Sequence, residues 1–481
     1  MKNALYLSIV LICSLLSVGC RSLLELDPQS SLTSEKFWKS EADVENGVTA
    51  MYYSLSQAMA RGYYDWGELR GGNYTGDQPN GPDQYDIINN IMTSANSAGL
   101  WTNLYQTISR ANLVLKYAPN VNMLSSQKNG YLAECYAIRA LCYFYIVRVW
   151  GDAPLFLSPV EEYDPDNIYR ERSDKELILD QIVADLELAE MYAQPITSGS
   201  FKRTRINQMA VYALMADVYA WRHQYDKVLA VMEKVYRLAP ETSSNAYWQT
   251  LELSPNISQE EFTEAWQGIF ARVDPDGALT DIPKERIFYI HYEEIENGLN
   301  GNTSYFCTGA CKAYPSERLL SMYASGDKRL AATYTGSSQK KLTAKFWGTI
   351  TSFGSGGQVS NCDLILYRMS DLVLLHAEAL ARTGDLNGAV VELNKIHTRA
   401  GLPAYLVGDF IAPDDVVRAV LDERTIELIG EGKFWFDLLR TDHAADICGI
   451  TDPNKYLFPI NKTHLDENYK LKQNPGYGAG E

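Results

Sequence analysis

The stretch from Leu421 to Asp442, LDERTIELIGEGKFWFDLLRTD, decides how the rest of the chain is interpreted. Glu423, Glu427 and Glu431 recur every four residues, so on a helix they form one acidic edge. Arg424 lies three residues before Glu427, where the two side chains can pair. Two interpretations are open, a buried salt-bridged helix pair and acid–base catalysis by these carboxylates. No other motif supports catalysis, so we expect a structural role.

The overall composition argues against some classes of protein. The chain has 481 residues, enough for one large core or for two ordinary domains. Its formal net charge of −17 disfavours nucleic-acid binding, because contacts to phosphates need a basic face. Aromatic residues make up 11% of the chain and include 32 tyrosines. Tyrosine combines a flat apolar face with a hydroxyl group, which suits sugar or peptide ligands.

The first nineteen residues are typical of a lipoprotein signal peptide. Lys2 is followed by an apolar run from Leu5 to Val18, which is short for a membrane span and suits a signal sequence. The run ends at Gly19-Cys20, which resembles a bacterial lipobox with Cys20 as the lipidated residue. A secreted protein without lipid is the alternative. We therefore expect a mature chain that begins at Cys20 and is anchored to a membrane rather than spanning it.

Cysteine and histidine usage gives little support to a metal site. Cys307 and Cys311 enclose a short loop, CTGAC, and this pair could form a disulfide in an oxidising compartment. A metal site is disfavoured because no second cysteine pair or histidine pair lies near. The six histidines are scattered along the sequence. We expect no metal, no cofactor and no catalytic residues.

Two segments have the spacing of tetratricopeptide-like helix pairs, one from Ala216 to Pro240 and one from Ala377 to Ile396. Small residues let the two helices of each pair approach closely, and neighbouring pairs stack to bury a shared core. Two tracts, about 61–98 and 247–351, lack a sustained period and are rich in Gly, Asn and Tyr. We therefore expect a mostly α-helical scaffold interrupted by long loops, and long loops of this kind are often functional.

The opening stretch resembles the signature ER-x-x-E-L-x-x-E-G-x-R-x-x-D-L-x-R of the SusD/RagB family of outer-membrane nutrient-binding lipoproteins. The matching residues are Glu423, Arg424, Glu427, Leu428, Glu431, Gly432, Asp437, Leu438 and Arg440. Phe434 stands where the family usually has arginine. Other segments match family patterns in order, among them WTNLYQTISRAN (101–112), IRALCYFYIVRVWGDAPL (138–155) and NPGYG (474–478). The resemblance covers essentially the whole mature chain.

This resemblance implies a mostly α single domain over residues 20–481, with tetratricopeptide-like helix pairs, long loops and a few short strands. It also implies a cell-surface position on the outer membrane and a SusC-like TonB-dependent transporter as partner. The implied ligand is an oligosaccharide, with a peptide, as in some members, as the alternative. A glycosidase is disfavoured, because the adjacent Glu293 and Glu294 cannot flank a glycosidic bond as hydrolysis requires.

The repeat helices are committed to packing, so we place the ligand surface in the two loop-rich tracts. Aromatic faces stack on the C–H face of a sugar, while Arg, Asn and Asp hydrogen-bond its hydroxyl groups. The residues predicted to bind ligand are Tyr64, Trp66, Arg70, Asn73, Asp77, Tyr292, Asn302 and Tyr305. We expect these side chains to be exposed on a shallow face and, because the chain is acidic, to bind a neutral glycan.

Overall fold

The structure is a computed structural model that describes residues 37–76, 78, 81–193, 203–239, 257–271, 283–292, 305–306, 311–335, 342–343, 345–346, 350–353, 357–360 and 362–478. Within these ranges the chain is mostly helical with a few short strands, which confirms the predicted fold class. Cys20, Asp77, Glu293, Glu294, Asn302 and Cys307 lie outside the described residues. The predicted lipidation and the predicted disulfide therefore stay predictions.

The described helices follow one another along the chain and are numbered in that order. They are α1 (Glu41–Gly67), α2 (Pro82–Ile88), α3 (Thr102–Tyr117), α4 (Ser125–Trp150), α5 (Pro165–Ile168), α6 (Lys175–Tyr192), α7 (Gln208–Trp221), α8 (Tyr225–Leu238), α9 (Gln259–Gly268), α10 (Glu317–Ser321), α11 (Lys328–Thr333), α12 (Met369–Arg382), α13 (Leu386–His397), α14 (Pro413–Glu427), α15 (Phe434–Arg440), α16 (Ala444–Cys448) and α17 (Lys462–Glu467).

The described strands are short and pair in twos. They are β1 (Tyr74–Gly76), β2 (Arg286–Ile290), β3 (Ala313–Pro315), β4 (Tyr334–Thr335), β5 (Leu342–Thr343), β6 (Ile350–Phe353), β7 (Gly357–Ser360) and β8 (Leu364–Arg368). The pairs β1–β3, β2–β8, β4–β5 and β6–β7 are all antiparallel. In the first pair Tyr74 lies opposite Pro315, so this small sheet joins the two loop-rich tracts.

Helix α4 lies at the centre of the N-terminal half, packed against α3 and α6. Its side chains are buried almost continuously from Leu132 to Trp150, because the helix is apolar nearly all round. It ends at Gly151, which has a φ of 75°. Glycine adopts this left-handed conformation without steric cost, which is why the helix can stop here.

The two predicted helix pairs are present as α7–α8 and α12–α13. The turn of each pair contains one residue with positive φ, His223 at 55° in the first and Gly384 at 95° in the second. Each of these residues lies two positions after the end of its first helix, so the two turns correspond. Helix α12 contacts both α7 and α8, and the pairs thus share a core although a long tract separates them in sequence.

Helix α1 runs further than the sequence pattern indicates. The loop predicted from residue 61 is wrong at its start, since α1 extends to Gly67 and α2 follows within the same tract. Gly62 permits this, because a Cβ atom there would lie 2.4 Å from the ring of Trp66. The last turns of α1 are buried on nearly every side, so they carry no amphipathic period that a sequence could reveal.

The acidic edge of the opening stretch is the centre of a buried network of ion pairs. Glu423 accepts a hydrogen bond from Arg329 at 2.6 Å, and Glu431 accepts one from Lys345 at 2.6 Å. Glu427 accepts hydrogen bonds from Arg368 at 2.8 Å and from Arg329 at 3.1 Å. All six side chains are buried. The structural interpretation of these glutamates is therefore confirmed.

The predicted pairing of Arg424 with Glu427 is wrong. Arg424 donates to the carboxylate of Asp371 at 2.7 Å and to that of Asp437 at 2.8 Å. Asp437 also accepts a hydrogen bond from Arg440 at 2.7 Å. Arg424 therefore ties α14 to α12 and to α15, whereas cationic residues from other parts of the chain surround Glu427 and lower its pKa, which burial alone would raise.

Candidate functional site

The side chains predicted to bind ligand are largely buried. The six that fall within the described residues, each no more than 4% exposed, are Tyr64, Trp66, Arg70, Asn73, Tyr292 and Tyr305. Asp77 and Asn302 are not among the described residues and stay predictions. The expectation that the six present a stacking face to solvent is wrong, and their contacts show what they do instead.

Trp66 is a core residue of α1. Its indole N–H donates to the carbonyl oxygen of Ala98 at 2.8 Å, and its ring packs edge-on against that of Trp150 at 5.4 Å. Tyr292 is similarly committed, because its hydroxyl donates to the carbonyl oxygen of Ser56 at 2.5 Å. A buried aromatic residue whose polar atom already has a partner contributes to packing and offers no face to a sugar.

Arg70 and Asn73 hold backbone segments together. The guanidinium of Arg70 lies 4.1 Å from the ring centroid of Trp435 and donates to the carbonyl oxygens of Lys455 and Tyr456 at 2.6 and 2.7 Å. Burial lowers the pKa of Arg70 to about 10. Asn73 accepts a hydrogen bond from Arg318 at 2.6 Å. The Arg70 side chain is committed to these structural contacts, whereas the Nδ2 atom of Asn73 is buried and has no hydrogen-bond partner among the described residues.

The structure nonetheless brings the two loop-rich tracts together, as their joint role in binding requires. The rings of Tyr64 and Tyr305 are 5.0 Å apart, and the Tyr305 hydroxyl donates to Asp65 at 2.5 Å. Gln84 donates to both Asp65 and Tyr305 at 3.1 Å. Around this contact lies a group of polar side chains that we call the junction cluster: Arg61, Asp65, Asp83, Gln84, Tyr305 and Lys312.

The floor of the junction cluster is fixed and desolvated. Asp65, Gln84 and Tyr305 are all buried. Burial raises the pKa of Asp65, although the hydrogen bonds from Tyr305 and Gln84 act in the opposite direction. Burial, with the neighbouring Asp65 carboxylate, also places the pKa of the Tyr305 phenol well above its usual value. Tyr305 therefore stays protonated at neutral pH and donates a hydrogen bond to Asp65.

The rim of the junction cluster carries charges of both signs. Arg61 is exposed, and the nearby Tyr305, Asp65 and Asp83 raise its pKa even though desolvation acts to lower it. The ammonium group of Lys312 lies 4.7 Å from the centroid of the Tyr305 ring. Its pKa is lowered because the side chain is partly buried.

Asp83, in the first turn of α2, also lies on this rim. Its carboxylate is held by Ser97, which follows α2 in the chain. It accepts hydrogen bonds from the hydroxyl and the backbone N–H of Ser97, the latter at 3.4 Å. The junction cluster thus brings together two cations, two carboxylates, an amide and a phenol, of which Asp65, Gln84 and Tyr305 are buried. Side chains of these types can donate hydrogen bonds to hydroxyl groups and accept hydrogen bonds from them.

Sequence reasoning found only Tyr305 among these six residues. Arg61 opens the first tract, and Lys312 lies inside the second, directly after the Cys311 of the CTGAC loop. A charged residue beside a loop tract is common, so neither was distinctive. The informative signal is the joining of the tracts through β1 and β3, which only the structure shows.

The described residues hold no group of three or more His, Cys, Asp or Glu side chains placed to bind a metal ion. In the same part of the chain, no helix has both the length and the apolar character needed to cross a membrane.

Comparison with known proteins identifies two matching family models. One is described as the SusD family and matches residues 309–448, which contain α14 and α15. The other is described as starch-binding, associating with the outer membrane, and matches residues 23–220.

Relatives of known sequence or structure agree along nearly the full length. A SusD-like protein of Formosa agariphila is 27% identical, with 99% of each chain covered. The structure of NanU from B. fragilis superposes with a TM-score of 0.74 at 23% identity, covering 94% of this chain and 100% of that one. A laminarin-binding SusD-like protein superposes with a TM-score of 0.74 at 22% identity, covering 92% of this chain and 100% of that one.

The helix pairs, the ion network built on the opening stretch, the two family models and the full-length relative lead to one conclusion. This chain belongs to the SusD/RagB family.

Proposed function

We propose that this protein is a cell-surface lipoprotein of the outer membrane that captures an oligosaccharide and passes it to a SusC-like TonB-dependent transporter. The observation that carries the proposal is the junction cluster, where hydrogen-bonding groups of both loop-rich tracts contact one another. The family model that matches residues 23–220 is described as starch-binding and associating with the outer membrane, which agrees with this ligand and this location. The transporter rests on the family resemblance, and the anchor rests on Gly19-Cys20.

The charges of the junction cluster favour a neutral glycan. Arg61 and Lys312 are balanced by Asp65 and Asp83, so the cluster attracts neither sign strongly. The whole chain carries a net charge of −17, which repels acidic polysaccharides at longer range. A sugar ring needs donors and acceptors for its hydroxyl groups rather than a counter-ion, and the cluster supplies both.

The test is a calorimetric titration of the soluble chain that lacks Met1 to Cys20. The probes are malto-oligosaccharides and laminari-oligosaccharides, with a sulfated polysaccharide and a mixed peptide library alongside. We expect micromolar binding of a neutral oligosaccharide. Arg61→Ala and Lys312→Ala should each weaken it about tenfold, the effect of losing a hydrogen bond to a charged group worth about 1.5 kcal/mol.

Lys175→Ala is the matched control, because Lys175 is an exposed cation at the start of α6, outside the junction cluster. It should bind as the wild type does. Unchanged affinity in both junction variants would move the site elsewhere. Preferential binding of the sulfated polymer would overturn the neutral ligand, and preferential binding of peptides would replace the glycan.

A further inference from the structure

A groove of about 420 Å3 lies outside the junction cluster. Its walls come from the N-terminal half of α3, the segment 154–169 and the segment 464–471. The main aromatic residues that line it are Trp101, Tyr105, Phe156 and Tyr169, and none of the junction-cluster residues does so. Its volume is in the range of small-ligand sites in proteins.

The aromatic walls of this groove are held in place. The Tyr105 hydroxyl donates to the carbonyl oxygen of Pro154 at 2.7 Å, and its ring meets that of Phe156 nearly at right angles, 5.9 Å away. The guanidinium of Arg170 lies 4.6 Å from the Phe156 ring centroid. Fixed aromatic faces of this kind need no reorganisation before a ligand stacks on them.

One end of the groove continues into further exposed aromatic surface. Tyr169 contacts Tyr469 with ring centroids 5.6 Å apart, and Tyr469 is 73% exposed. Tyr163, which lies beside Tyr169, is 78% exposed. Several neighbouring aromatic side chains left open to solvent are typical of binding surfaces.

Most polar groups that line the groove are uncharged. Gln106 and Ser109 lie on the exposed face of α3, and within the described part of the chain no residue hydrogen-bonds their side chains. Glu467 is the one carboxylate among the described lining residues, and burial lowers the pKa of His464, so that its imidazole is uncharged at neutral pH. An uncharged ligand therefore matches this lining.

These features distinguish a sugar from a peptide as the occupant. A sugar ring has an apolar C–H face and a border of hydroxyl groups, and the groove pairs aromatic faces with an amide and a hydroxyl. An extended peptide would need partners for successive N–H and C=O groups. Beyond its first turn, helix α3 offers none, because the backbone N–H and C=O groups there bond within the helix.

We propose that this groove is a second oligosaccharide site, in which neutral sugar units stack on Tyr105, Phe156 and Tyr169 and hydrogen-bond Gln106 and Ser109. The proposal takes from the proposed function only the class of ligand. A chain with two sites can hold one polymer at two points, which raises the effective affinity without any new contact.

The experiment blocks the groove without touching its supporting contacts. Ser109→Trp places a large side chain on the exposed face of α3 inside the groove, and Asn103→Trp adds the same side chain on α3 outside it. Calorimetric titration with laminarihexaose and maltohexaose gives the number of bound molecules per chain. We expect two for the wild type and for Asn103→Trp, and one for Ser109→Trp.

The outcomes separate this proposal from the proposed function. Arg61→Ala should weaken the other site and leave the groove site intact, so the double variant Arg61→Ala/Ser109→Trp should bind about tenfold more weakly at its remaining site. Unchanged stoichiometry in Ser109→Trp overturns the groove site alone, whereas no glycan binding by the wild type overturns the proposed function.

A synthetic peptide of residues 22–33 should not compete with the hexaose for the groove. If it displaces the hexaose from Arg61→Ala, the chain's own N-terminal segment is the occupant and the proposal fails.

Discussion

Replacing Arg424 with methionine tests whether the opening stretch is structural. Arg424 donates to the Asp371 carboxylate at 2.7 Å, to the Asp371 carbonyl oxygen at 3.0 Å and to Asp437 at 2.8 Å. Methionine keeps most of the volume and removes the charge and all three hydrogen bonds. Each carboxylate would retain one cationic partner, since Lys433 lies 2.9 Å from Asp371 and Arg440 lies 2.7 Å from Asp437.

The expected loss of stability follows from this geometry. Removing one partner of a buried ion pair costs about 3–5 kcal/mol, because the other charge stays buried. Since each aspartate keeps one cation, we expect the lower end, about 3 kcal/mol at pH 7.

The loss should shrink in acid. In the wild type, burial acts to raise the pKa of Asp371, but Lys433 and Arg424 hold that pKa well below its usual value. The stability from this group is therefore complete above the unfolded pKa of about 4 and is lost as the pH falls through the lower folded pKa. In the variant the pKa of Asp371 is higher, so the difference between the two proteins decreases only as the pH falls through that higher folded pKa.

Equilibrium urea unfolding at pH 7 and pH 4 measures the loss of stability and its pH dependence. Each loss is obtained from the shift of the unfolding midpoint, provided that the dependence of the free energy on urea concentration has the same slope in both proteins. The matched control is Arg418→Met on the same helix, whose partner Asp422 lies 3.1 Å away with both side chains 43% exposed. An exposed pair of this kind contributes less than about 1 kcal/mol. A loss at pH 7 in Arg424→Met that is no larger than the loss in Arg418→Met would show that Arg424 has no structural role.

Three further predictions concern the anchor, the core and a close backbone contact. Cys20→Ala should release the folded protein from the membrane fraction, and a variant that stays bound after a high-salt wash would exclude lipidation at this residue. Trp66→Ala should lower the free energy of unfolding by about 3–5 kcal/mol while the folded fraction binds glycan normally, because Trp66 is a core residue. Gly67→Ala should lower the melting temperature strongly, since its Cβ would lie 1.9 Å from the Gly432 carbonyl oxygen, whereas Gly268→Ala, with no atom within 4 Å of its Cβ, should have little effect.

The ion network was predictable in kind but not in its partners. Glutamates repeated every four residues beside apolar positions indicate a buried charged edge; Glu423 and Glu427 form it on α14, whereas Glu431 lies beyond the end of that helix and joins the ion network from the following turn. The partner chosen for Arg424 was the nearest carboxylate in sequence, Glu427. The actual partners of Glu427 include Arg329 and Arg368, which lie 98 and 59 residues away in the chain. Spacing along one helix contains no information about such contacts.

The ligand residues show a different limit of sequence reasoning. Gly62, Tyr64 and Trp66 have the composition of a loop, yet they belong to a helix that is buried on nearly all sides. Burial on every face removes the 3.6-residue period that would distinguish the two. Tyr305 was assigned to the second loop-rich tract, but its contact with Asp65 joins residues 240 positions apart and was not predictable from the sequence.

The central claim, that the junction cluster binds the glycan, is tested most directly by hydrogen–deuterium exchange with and without a bound neutral oligosaccharide. The measurement uses the Ser109→Trp variant, so that the groove does not contribute. The account predicts slower exchange in the peptides that contain Arg61, Gln84 and Lys312, and unchanged exchange in α7–α8 and α12–α13. Unchanged exchange around the junction cluster, with protection confined to those helix pairs, would contradict it.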